Sequence, residues 1–159
     1  MNSIMTERYP LFQMYQALRD QLMHLLSDDD LQYRPTENNP TLGTLCREIG
    51  ETERSYIESF RTWQQDFSYR HPDAEVETSV AKLSAWFGEL DQELKEALES
   101  LSEDDLKNRV IDRGGDFKLP PHLQLEVYKE ALLIFYGKAS VYLHAMGKPL
   151  PEQWQHWIG

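Results

Sequence analysis

Val80, Leu83, Phe87, Leu90, Leu94, Leu98 and Leu101 recur at intervals of three and four residues, a spacing that only an α-helix gathers onto one face. So long a stripe must be buried against other helices, because a helix with one apolar face does not persist alone in water. Pro10 opens a similar segment, with Leu11, Tyr15, Leu18, Leu22 and Leu25 predicting a helix over 10–26 that stops in Ser27, Asp28, Asp29 and Asp30. Thr41 is a good N-cap for a helix over 41–63 with Leu42, Leu45, Ile49, Tyr56 and Phe60 on one stripe. The Val80 stripe lies on a helix over 79–101, capped by Thr78 or Ser79 after an acidic, turn-rich loop between Asp66 and Glu77. Pro120 and Pro121 open a last helix over 121–146, and Gly147 and Pro149 close it.

Between the last two helices, Val110 to Leu119 surrounds Gly114 and Gly115, which reads as a short hairpin or irregular insert. A tail, Pro151 to Gly159, carries Trp154 and Trp157 and is expected to clamp against the helices. These elements predict an all-α fold: a four-helix bundle of the up-and-down type. A chain of 159 residues with 40% hydrophobic content supports one core, so residues 1–159 are read as a single domain. One echo runs through it, Leu26-Ser27-Asp28-Asp29-Asp30-Leu31 against Leu101-Ser102-Glu103-Asp104-Asp105-Leu106. A repeated helix pair and a convergent helix-ending turn both account for it.

The formal net charge is −11, spread along the chain, and it opposes contact with a phosphate backbone, so no nucleic-acid partner is expected. No run approaches the roughly 20 apolar residues of a membrane span. Met1 to Pro10, with Glu7 and Arg8, has neither the basic start nor the apolar run of a signal peptide. The lone Cys46 cannot form an internal disulfide, and a reducing, cytoplasmic setting is expected, with Cys46 as a core thiol.

Two stretches resemble the DinB-like (DinB/YfiT) superfamily: Leu26 to Glu53, LSDDDLQYRPTENNPTLGTLCREIGETE, and Tyr136 to Pro151, YGKASVYLHAMGKPLP. The resemblance implies a helical bundle and, in many members, a divalent metal held by one histidine on the second helix and two, four apart, on the last. It also implies a metal- and thiol-dependent transferase or hydrolase. Carried over residue by residue, the three ligand positions are Glu48, Ala131 and Phe135, none of them histidine. His24 and His144 point away from the apolar stripes, His71 is in a loop, His122 begins the last helix and His156 is in the tail. Neither a metal site nor a cofactor is therefore expected, and no catalytic residue stands out.

On the last helix Ala131, Phe135, Lys138 and Tyr142 share a face; on the second, Glu53 lies in the apolar stripe and Glu48 on its flank. A buried carboxylate needs a partner. The expectation is that Lys138 pairs with Glu48 or Glu53; the alternative is that its ammonium reaches solvent and the glutamates sit at a wet bundle edge. Glu48, Glu53, Ala131, Phe135, Lys138 and Tyr142 are thus the pocket candidates, while Tyr56, Tyr128 and Tyr136 read as core or as pocket lining. Two roles fit: a binder of a small-molecule ligand, or an interaction subunit acting as a homodimer. The metal- and thiol-dependent enzyme is the alternative that lacks its ligands.

Overall fold

Thr41 and Ser79 cap their helices as the sequence indicates, their hydroxyls accepting from the backbone N–H of Thr44 and Lys82. The computed structural model describes residues 1–159. In chain order its elements are α1 (Tyr9–Leu25), α2 (Leu42–Thr62), α3 (Val80–Glu99), α4 (Glu103–Asn108), β1 (Ile111–Asp112), β2 (Lys118–Leu119), α5 (Pro121–Ala145) and α6 (Glu152–Trp157). The four long helices of the expected bundle are all present.

The N-terminus departs from expectation, because helical backbone begins at Ile4 and not at Pro10. Pro10 has no N–H to donate, and a wide π turn over Ile4–Arg8 carries the chain into α1, with Tyr9 N–H bonded to the Ile4 carbonyl. Asn2 anchors this extension. Its Oδ1 accepts from Met5 N at 3.0 Å, and its Nδ2 donates to the Leu98 and Leu101 carbonyls, each at 2.7 Å. The first turn is thereby fixed to the end of α3.

Contacts along the helices give their order and sense. Gly50 faces Trp86 and Arg54 pairs with Glu93, so α2 and α3 run the same way. Arg8 pairs with Glu126 and the Tyr136 hydroxyl donates to the Tyr15 carbonyl, so α1 and α5 also run the same way. Gln124 Nε2 donates to Ser59 Oγ at 2.9 Å at one end, and Tyr142 Oη donates to the Pro40 carbonyl at 2.7 Å at the other, which makes α2 and α5 antiparallel. The bundle is as expected, but its helices do not simply alternate: the chain enters them up, down, down and up, with α1 diagonal to α2 and α3 diagonal to α5. The connector 63–79 must return along the bundle before α3 can start, which explains its length.

The hairpin is present, Ile111 opposite Leu119 and Asp112 opposite Lys118, turned through Gly114 and Gly115, both at positive φ. Asp112 also exchanges backbone hydrogen bonds with Trp63 and Gln65, tying the hairpin to the end of α2. The tail packs as anticipated: Trp154 is fully buried and its Nε1 donates to the Leu18 carbonyl at 3.0 Å, while Trp157 meets the Tyr15 ring. The two echoing segments adopt the same reciprocal turn. Ser27 N donates to Asp30 Oδ2 and Asp30 N to Ser27 Oγ, and Ser102 with Asp105 repeats the pair. In each, the flanking leucines are buried. No helix is long and apolar enough to cross a membrane.

Candidate functional site

Glu48 on α2 and Ala131 and Phe135 on α5, the three positions that the resemblance singled out, line one groove of about 190 Å³. The antiparallel packing of α2 on α5 causes this: the register fixed at Ser59–Gln124 and Tyr142–Pro40 sets Glu48 level with Phe135. Leu45, Ile49 and the buried Phe135 form an apolar floor, Ala131 is half-buried, and Glu48 and Lys138 stand exposed at the rim. An alanine and a phenylalanine donate nothing to a metal, and Glu48 is a single carboxylate. Nor is any group of three or more His, Cys, Asp or Glu side chains placed to hold an ion. The residues present do not fit the metal that the family implies.

Lys138 does not pair with either glutamate. It has no carboxylate within 4.0 Å and extends into solvent, and Glu48 is exposed and likewise without an ion-pair partner. Glu53 is neither at the rim nor at a wet edge: it is fully buried and paired with Arg19 of α1, Nη1 to Oε2 at 2.5 Å. The need for a partner was legible in the Glu53 position; its identity was not, because Arg19 approaches from the diagonal helix. Tyr142 also lies outside the groove, with its ring edge-on to Tyr33. Of the six candidates, Glu48, Ala131, Phe135 and Lys138 come together and Glu53 and Tyr142 do not.

Around Glu53 lies a buried polar centre that sequence reasoning missed. Arg19 Nη2 also meets Asp91 Oδ1 at 2.6 Å, Gln16 donates to the same oxygen at 2.7 Å, and the guanidinium lies 4.1 Å from the Phe87 centroid. Burial pushes the Asp91 carboxyl up to about 7; Arg19 pulls against the rise and the charge of Glu53 adds to it. Arg19 Nε, Glu53 Oε1 and the Tyr128 hydroxyl are buried without hydrogen-bonding partners. Arg19 occupies the i+4 position between Tyr15 and Met23 on the face that carries Leu18 and Leu22, which was the available signal. Tyr128 and Tyr136 are core, and burial pushes the Cys46 thiol up to about 12, so it stays protonated.

Beyond Glu48 and Thr52, a second basin of about 320 Å³ lies between α2 and the connector, with Arg47, Glu51 and Arg70 on its wall. Its charges answer one another: Arg47 pairs with Glu51 at 3.1 Å and with Glu77 at 2.7 Å. His71 is not a ligand there, since its ring packs on Trp86 and its Nδ1 accepts from Asp73 N.

A model of the DinB superfamily matches residues 12–132, a span that includes Glu48 and Ala131 and stops before Phe135. The crystal structure of a DinB-like protein from Bacillus cereus is similar, with a TM-score of 0.75 at 16% identity over 90% of this chain and 93% of that one. The DinB-like protein YjoA from Bacillus subtilis gives a TM-score of 0.66 at 18% identity, over 86% of this chain and 90% of that one. No curated protein matches the sequence. At such identities the structural likeness speaks for the fold alone.

Proposed function

The chain belongs to the DinB superfamily, and we propose that it binds a small amphipathic organic molecule without a metal, in the groove between α2 and α5. One observation carries this reading. Glu48, Ala131 and Phe135 face a common space, to which phenylalanine and alanine give an apolar floor while two unpaired charges stand at its rim. Apolar lining with few, separated polar groups is the usual make-up of a ligand pocket. A metal- and thiol-dependent transferase or hydrolase lacks the donors it needs here.

Thermal shift of chelator-treated protein against small acids, amines, thiols and aromatics tests the reading. A ligand bound only by the folded state raises the melting temperature by mass action. The expected result is a saturable rise that Ala131→Phe, which fills the groove, abolishes. Failure of every compound to shift the protein, or a shift that appears only on adding a metal, contradicts it.

A second reading rests on α5 itself. Ile134 is 61% and Val141 60% exposed, seven residues apart on one side of α5. Exposed aliphatic residues on a helix face suit a homodimer surface. Sedimentation at several concentrations decides it, and Ile134→Glu should dissociate any dimer built on that face.

A further inference from the structure

We propose that the α2/α5 groove takes a zwitterion, namely a free α-amino acid with an apolar side chain. Its carboxylate lies on Lys138, its ammonium on Glu48 and its side chain on the floor of Ile49, Ala131 and Phe135. This rests on the reading of the groove as a small-molecule site and names the class of molecule.

The placement of the two charges argues for it. The helix register sets Lys138 level with Leu45 and Glu48 level with Phe135, on opposite walls and offset by about 4.5 Å of helical rise. They face the same space yet do not meet within 4.0 Å. No other side chain neutralises either one, whereas the neighbouring Arg47, Glu51 and Glu77 are all paired.

Simpler ligands fit less well. An organic anion would meet Glu48 and the field of a chain carrying a net charge of −11. An amine would meet Lys138. A molecule with both groups on one carbon and an apolar substituent answers each wall with the opposite sign, adds no net charge and covers the floor. The groove volume of about 190 Å³ holds a side chain of leucine or phenylalanine size while the polar head remains at the wet rim.

Ligand-observed NMR or calorimetry with L-phenylalanine and L-leucine, against N-acetyl-L-phenylalanine and L-phenylalaninamide, tests this. Wild type, Lys138→Met and Glu48→Gln are compared, both substitutions being at exposed positions outside the core. We expect one site per chain, and a loss of about two- to fivefold in affinity for each capped analogue and each variant, the scale of one exposed ion pair. Lys138→Met should not further weaken the amide, nor Glu48→Gln the N-acetyl compound, because each pair of changes removes the same contact.

Equal binding of capped and free amino acids overturns the zwitterion and leaves the small-molecule reading intact. So does binding of some other amphipathic compound with none of the amino acids. If no compound binds, free or capped, amphipathic or neutral, both fall together.

Discussion

Arg19 of α1 and Glu53 of α2 meet across the bundle diagonal, Nη1 to Oε2 at 2.5 Å, and neither side chain has any exposure. Two ions so placed have given up their hydration, and their attraction compensates only while both are present. Glu53→Gln should therefore destabilise the protein by about 3–5 kcal/mol, since it leaves a buried guanidinium with only Asp91 for company. Arg19→Met with Glu53→Leu should recover part of that loss, since Asp91 then loses its cation but can take up a proton. Urea denaturation of the two variants measures it, and a double variant as unstable as the single one would show that the pair does not act as a unit.

Asp91 shares the same guanidinium and gives the fold a pH dependence. Burial raises its folded pKa to about 7, above the ordinary carboxylate range, so between pH 4 and 7 the folded state binds the extra proton. The sign follows: this contribution to stability is fully present below the unfolded pKa and declines as pH rises, by up to about 1.4 kcal/mol per pH unit within that window. Asp91→Asn should flatten the curve. Unfolding free energies at pH 5 and pH 8 decide it, and an unchanged difference between the two would place the titration elsewhere.

Helical glycines divide by what surrounds them. A Cβ on Gly43 would lie 1.8 Å from the Glu77 carbonyl oxygen, and one on Gly50 would lie 2.4 Å from the Trp86 ring, so neither site has room. Gly43→Ala and Gly50→Ala should each cost about 1–3 kcal/mol, the scale of overpacking, with Gly43 the worse because backbone yields less than a side chain. Gly88 has nothing within 4 Å and lies in the middle of α3. Gly88→Ala should stabilise by about 0.5–1 kcal/mol. Thermal melts of the three variants give the signs directly.

The fold was largely legible because helical periodicity and capping residues act locally. Thr41, Ser79, Pro121 and Gly147 mark their helix ends where expected, and Gly114 and Gly115 mark the hairpin. The start of α1 was hidden because Pro10 suits a first turn, and only the distant contact of Asn2 with Leu98 and Leu101 holds the earlier turn in place. The site was half legible for a related reason. Which residues share a face of α2 or α5 follows from spacing, as it does for Ala131, Phe135 and Lys138, whereas the expectation that Glu48 faces Ala131 and Phe135 came from the resemblance to the family. Which charge finds which partner depends on helix order and sense, and a chain running up, down, down and up brings Arg19, not Lys138, to Glu53.

Replacing Glu48, Ala131 and Phe135 by histidine tests the central claim, that the three positions which the resemblance makes metal ligands meet in one groove and that this groove, as we propose, works without a metal. Zinc titration of wild type should show no stoichiometric site, while Glu48→His/Ala131→His/Phe135→His, with folding checked by circular dichroism, should bind one equivalent through the restored imidazoles. One equivalent of zinc held by wild type, or a folded triple variant that holds none, would contradict the account.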